Sequence, residues 1–194
     1  FRLIPITFCP GPDRQSFRKM FFGNSGAEAN ECEIKIARKY SFDKYGKGRH
    51  TIITLVNSFH GRTLTTLSAT GQDVFHNYFF PFTEGFVYAE ANNIDNLRSK
   101  IDDTVCAIMF EYIQGEGGVN ALNHDFVDEI FQIAAEKDIL TISDEVQTGV
   151  GRTGLFLAGD HYGKKADIIT LAKGIAGGLP MGVCLTGEKC SGVL

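Results

Sequence analysis

The chain has 194 residues, 43% of them hydrophobic and 22% charged, with a formal net charge of −4. These are globular values that exclude a disordered or fibrous chain and allow one domain with a sizeable core. An acidic balance with no basic cluster argues against nucleic acid, and no apolar run reaches the ~18 residues that span a bilayer.

The first twenty residues, "FRLIPITFCPGPDRQSFRKM", read as an atypical segment and lack the small-residue cleavage site of a signal peptide. "FFGNSGAEANECEIKIARKYSFDKYG" then reads as a short apolar stretch, a Gly/Asn/Ser turn, and a long helix ending near Gly46. "HTIITLVNSF" and "TVCAIMFEYI" are rich in β-branched or bulky residues and read as buried strands. In "DFVDEIFQIAAEKD", Phe126, Val127, Ile130, Phe131 and Ala134 recur at helical spacing, with Asp125 near the start. "DILTISDEV", "ADIITLA" and "MGVCLTG" read as further strands. Strands alternating with helices predict one α/β unit with a mostly parallel sheet covered by helices on both faces. Five cysteines (Cys9, Cys32, Cys106, Cys184, Cys190) are scattered without a Cys-x-x-Cys pair. That pattern fits reduced thiols in a cytoplasm better than a disulfide framework, and no metal site is expected.

In such sheets ligands bind beyond the carboxyl ends of the strands. "NSFHGRT", "EYIQGEGG", "SDEVQTG" and "LAKGIAGG" each follow an apolar run there. Asp144 and Glu145 close a buried strand, where a charge must be paired, coordinate something, or cost several kcal/mol. "GNSGAEANE" (23–31) feeds a helix whose first N–H groups, at Ser25, Gly26 and Ala27, make either an anion site or an ordinary start capped by Asn24 or Ser25. Lys173 is either a snorkelling surface residue or a desolvated, nucleophilic amine. Phe59, His60 and Arg62 suit either a core contact with solvated neighbours, or a flat ring and a carboxylate.

Taken together, an anion cradle, an aromatic platform, a carboxylate and a lysine on separate strand ends are the parts that hold pyridoxal 5′-phosphate. That cofactor demands a Schiff-base lysine and an acidic partner for its pyridinium nitrogen. Asp144 then faces a ring nitrogen that must stay protonated.

The stretches "FFGNSGAEANE", "SFHGRT", "EYIQGEGGV", "SDEVQTGVGRTG" and "DIITLAKGIAGGLPMG" run in order from Phe21 to about Gly187. In this the sequence resembles the class III, fold-type-I aminotransferases, and within them the acetylornithine group of arginine biosynthesis. The resemblance implies that Lys173 is the Schiff-base lysine and proton shuttle, that Asp144 pairs with the pyridine nitrogen, and that Gln147 bonds the phenolic oxygen. It implies that Phe59 and Val146 sandwich the ring, and that Ser25, Gly26 and Ala27 hold the phosphate. Arg62 and Glu116 fall on the substrate side, with Glu111 as a further acid, while Tyr112 stands where the family usually has proline. The expected reaction passes an amino group from N-acetylornithine to 2-oxoglutarate. Ornithine, succinylornithine and 4-aminobutyrate are the alternative donors, and a non-catalytic cofactor-binding unit is the alternative of another kind. The resemblance also implies a cytoplasmic homodimer. By it, residues 21–194 form the large cofactor domain, incomplete and without the small C-terminal domain.

Overall fold

The computed structural model describes residues 4–5 and 17–193, so Cys9 and most of the atypical first segment lie outside the described residues. In chain order the elements are β1 (Ile4–Pro5), β2 (Lys19–Gly23), α1 (Gly26–Tyr45), β3 (Thr51–Leu55), α2 (Leu64–Ala69), β4 (Phe86–Ala89) and α3 (Ile94–Ser99). There follow β5 (Val105–Phe110), β6 (Ile113–Gln114), β7 (Asn120–Ala121), α4 (His124–Lys137), β8 (Leu140–Asp144), β9 (Ile168–Leu171) and β10 (Gly182–Thr186).

Eight strands form one sheet in the order β1-β2-β10-β9-β8-β5-β3-β4, and β6 and β7 make a separate hairpin. From β9 to β4 every neighbouring pair is parallel. β10 breaks the pattern by running antiparallel to both β9 and β2. β2, which begins at Lys19, pairs with β10 along its whole length.

β3, β5, β8 and β9 are buried along their whole length, which is why they read as stretches of apolar, Thr and Ser residues with no charge before Asp144. Their alternation still separates two cores. Ile52, Met109, Leu140, Ile142 and Ile168 pack with Ile34 and Ile36 of α1. Ile53, Leu55, Ile108 and Phe110 pack with Phe126, Val127 and Ile130 of α4 on the other face. α1 starts at Ser25, whose hydroxyl accepts the Glu28 N–H at 3.2 Å, while Glu28 Oε2 accepts the Asn24 N–H at 2.6 Å. It stops at Gly46, where φ is +77° and the N–H donates back to the Phe42 carbonyl. Among the described residues no helix is long and apolar enough to cross a membrane.

Candidate active site

The carboxyl ends of β3, β5, β8 and β9 and the N-terminus of α1 surround a cleft of about 430 Å³. Asp144, the last residue of β8, follows Leu140 and Ile142 on the α1 face and is 4% exposed. Its Oδ2 accepts from Asn30 Nδ2 at 2.7 Å and from His60 Nδ1 at 2.9 Å, and its Oδ1 accepts from the Val146 N–H at 3.0 Å. A carboxylate has about four lone-pair sites. Three are used inside the protein, which leaves capacity toward the cleft that Asp144 lines.

Glu145 turns the other way. It is fully buried, with Oε2 accepting from the Ala158 N–H at 2.6 Å and Oε1 from the Gly159 N–H at 3.0 Å. Burial pushes its carboxyl above the ordinary range, against the pull of those two N–H groups. The two adjacent acids therefore divide the work: one faces the cleft and the other anchors the 158–159 backbone.

Lys173 follows β9 with a left-handed backbone (φ +50°), a conformation that costs a non-glycine residue of order 1 kcal/mol and clusters at functional sites. Its side chain is exposed rather than desolvated, and Nζ donates to Gln147 Oε1. Gln147 is held in turn by Gly115, where an added Cβ would meet Gln147 Nε2 at 2.3 Å. Phe59 is fixed through its backbone, whose N–H donates to Glu111 Oε2 at 3.0 Å, and its ring meets Phe75 edge-on at 5.6 Å. The Arg62 guanidinium sits 5.2 Å from the Phe75 centroid and 5.9 Å from that of Phe59. Glu111 is 4% exposed. Burial lifts it to about 7, with His60 opposing and Asp144 adding to the rise.

At the start of α1, no protein acceptor among the described residues takes the N–H groups of Ser25, Gly26 or Ala27. Two close approaches shape this end. A Cβ on Gly26 would meet Val146 Cγ1 at 2.8 Å, and one on Gly182 would lie 1.9 Å from the Ser25 carbonyl oxygen. The start of α1, Val146 and Asp144 are thereby pressed into one cleft.

Ser25, Gly26, Ala27, Phe59, Arg62, Asp144, Val146, Gln147 and Lys173 all line that cleft. Glu116 does not; its side chain is exposed on the turn after β6. Asn30 is the residue that sequence reasoning missed. Its only signal was a polar side chain on the helix face that carries Ala29, Ile34 and Ala37.

The class-III aminotransferase family model matches residues 6–194. The chain belongs to the class-III aminotransferase family. It is 53% identical over 178 residues to the acetylornithine aminotransferase of Haemophilus ducreyi, covering 91% of this chain and 45% of that protein. The acetylornithine aminotransferase of Aquifex aeolicus is 52% identical over 171 residues, covering 88% and 45%. Among solved structures, an ornithine aminotransferase from Toxoplasma gondii superposes with a TM-score of 0.86 at 34% identity, covering 92% of this chain and 43% of that one. An amine transaminase from an uncultivated Pseudomonas species, in its pyridoxal-phosphate-bound form, gives 0.86 at 29% identity, covering 91% and 45%. The chain thus spans about 45% of the length of the curated relatives it matches.

Class-III aminotransferases are pyridoxal-phosphate enzymes, and the residues present fit that group. Free N–H donors at a helix start suit a phosphate, and a nearly enclosed carboxylate with spare acceptor capacity suits a ring N–H. Among the described residues, no cluster of His, Cys, Asp or Glu is arranged to hold a metal ion.

Proposed function

We propose that this aminotransferase transfers the amino group of N-acetylornithine to 2-oxoglutarate, within a whole protein of which residues 21–194 form the large cofactor domain. The observation that carries the cofactor site is the placing of Asp144 and Lys173 in one cleft, each held by its own polar partner. The donor rests on the 53% identity to the Haemophilus ducreyi acetylornithine aminotransferase.

When bound, pyridoxal phosphate supplies an electron sink for the pair left at the substrate's Cα. The protein's own part is positional and acid–base. The N–H groups of Ser25, Gly26 and Ala27 bind the phosphate dianion at the positive end of α1. Phe59 and Val146 bound the slot on its two sides, and Gln147 offers its amide to the phenolic oxygen. Asp144 holds a proton on the ring nitrogen by charge. Lys173 Nζ would take the substrate's Cα proton and pass it to the cofactor's C4′ carbon. Arg62 offers a guanidinium to a substrate carboxylate, and Glu116 belongs to the substrate side of the same reading. The exposed Tyr78, Phe79 and Phe80 offer apolar surface for a second copy of the chain, and the free, buried Cys32, Cys106, Cys184 and Cys190 support a cytoplasmic setting.

Ornithine is the second reading, favoured by the 0.86 superposition on the Toxoplasma gondii enzyme. The test is coupled glutamate formation by the whole protein with acetylornithine, ornithine, succinylornithine and 4-aminobutyrate as donors. Acetylornithine should give the highest kcat/KM, and a higher value for any other donor overturns the assignment.

A further inference from the structure

A second groove, of about 780 Å³, opens at the far end of α1, between the helix and the turn that leads into β3. That volume lies in the range of small-molecule sites. Lys35, Arg38, Lys39 and Phe42 recur at the i, i+3, i+4, i+7 spacing of one helix face. Gly46 and Gly48, at φ +77° and +106°, turn the chain back so that Lys47, Arg49 and His50 line the same groove. From Lys35 to His50 the sequence carries six Lys or Arg against Asp43 alone, in a chain of net charge −4. Core residues of α1 separate these cations along the sequence, and the fold gathers five of them on one rim.

The two arginines carry the argument. Arg38 donates from Nε to the His50 carbonyl at 3.3 Å and from Nη2 to the Glu84 carbonyl at 2.7 Å, and its guanidinium sits 5.1 Å from the Phe86 ring centroid. Arg49 donates from Nε to the Val105 carbonyl at 2.8 Å and from Nη2 to the Lys137 carbonyl at 2.6 Å, with its guanidinium 4.2 Å from the Tyr45 centroid. All of these partners are neutral. Among the described residues neither guanidinium meets a carboxylate, and neither does the Lys47 ammonium. Asp43, the acid that lines the groove, is taken by Lys39. Both arginines are half-buried, and burial pulls Arg38 below its ordinary value, with Cys106 and Glu31 opposing. A guanidinium fixed by neutral groups, with Nη1 still unspent, is pre-organised for the oxygens of a phosphate or carboxylate.

The rest of the chain is acidic, so an extended polyanion would be repelled beyond the rim, whereas a compact one is drawn in. Phe42, 54% exposed, sets an aromatic face beside the cations, on which a flat ring can stack. We propose that this groove binds a nucleoside polyphosphate, with its phosphates on Arg38, Lys39, Lys47 and Arg49 and its base against Phe42. The site is separate from the cleft. α1 rises about 1.5 Å per residue, so Arg38 and Phe42 stand roughly 20 Å along the helix from its start at Gly26. The proposal does not depend on the donor or cofactor reading above.

The whole protein that carries this chain is titrated with ATP by calorimetry in saturating pyridoxal 5′-phosphate, which keeps the triphosphate away from the start of α1. One ATP per chain is expected, with an affinity that falls as salt is raised. Lys39→Glu/Lys47→Glu reverses two exposed charges and should weaken ATP about tenfold or more at an unchanged melting temperature. Phe42→Ser should weaken ATP several-fold and leave inorganic tripolyphosphate unaffected. No saturable binding of ATP to wild type overturns the proposal, whether the groove is covered by the remainder of the protein or only solvated. Binding that ignores the charge reversal puts ATP elsewhere and overturns it as well. Tripolyphosphate binding as tightly as ATP, in wild type and in Phe42→Ser alike, would leave no place for the base, and the nucleoside assignment falls.

Discussion

Asn30 Nδ2 lies 2.7 Å from Asp144 Oδ2, and the same nitrogen donates to the His60 carbonyl at 2.8 Å. One amide thereby ties α1, the end of β8 and the loop after β3, three of the places from which the cleft is built. Replacing Asn30 by Ala leaves a buried carbonyl and a buried carboxylate each short of a donor. The expected cost is about 1–3 kcal/mol in urea unfolding, with weaker cofactor binding in a visible titration. Unchanged values for both would show that the tie has no consequence.

Asp144→Asn keeps the shape and removes the charge. A hydrogen bond to a charged group is worth about 1.5–3 kcal/mol, so cofactor affinity should fall about tenfold or more. In the whole protein turnover should fall further than binding, because the electron sink depends more on a protonated ring in the transition state than in the ground state. Turnover equal to wild type would make Asp144 a structural acid.

Lys173 is tested chemically. Borohydride treatment of the cofactor-loaded protein should leave an adduct that peptide mass spectrometry places on Lys173. Finding it on Lys164 or Lys189 instead would sink the assignment. Those two are engaged elsewhere, Lys164 with Asp128 at 2.6 Å and Lys189 with the Ile139 carbonyl at 3.3 Å.

Glu145 should matter for stability and not for chemistry. In Glu145→Gln, the new NH₂ cannot accept from Ala158 or Gly159, so one N–H loses its partner. A loss of roughly 1.5–3 kcal/mol is expected in chemical denaturation, with the KM for donor and the kcat of the folded protein close to wild type. A large fall in kcat at unchanged stability would contradict the division of labour between the two acids.

Glu111 gives a pH signature. Its ordinary value of 4.5 is lifted to about 7 in the fold, chiefly by burial. The folded state therefore holds the proton longer than the unfolded state, and stability declines as pH rises from about 4.5 to 7. Glu111→Gln should flatten that part of the melting profile and run parallel to wild type above it. Identical slopes below pH 7 would show that the carboxyl is not raised.

The longer elements are legible in the sequence because their physics is local. β3, β5 and β8 are buried on both faces and so carry no charge until Asp144 closes β8, and α1 carries its cap at Ser25 and its stop at Gly46. β4 is four residues long and α2 and α3 six each, too short for a period to declare itself. The direction of β10 leaves no trace either, since alternation is the same whichever way a strand runs. In the site, the strand-end residues stand out because Asp144 and Lys173 interrupt apolar runs with charge. Asn30 and Glu33 do not, because a polar residue inside a helix ordinarily signals the solvated face. Only the packing of α1 on β8–β10 shows that these two point inward.

β10 seats Gly182 beneath the Ser25 carbonyl and pairs it with Gly23, joining the start of the described chain to its end. During synthesis α1 leaves the ribosome early, and its first turn has no floor until residue 182 follows. A nascent polypeptide halted just after Lys173 would already carry Asp144 and Lys173, yet lack the glycine that packs against the first turn of α1. The helix start is thereby completed by a strand made about 150 residues after it, so this end of the cleft closes only once β10 has been added.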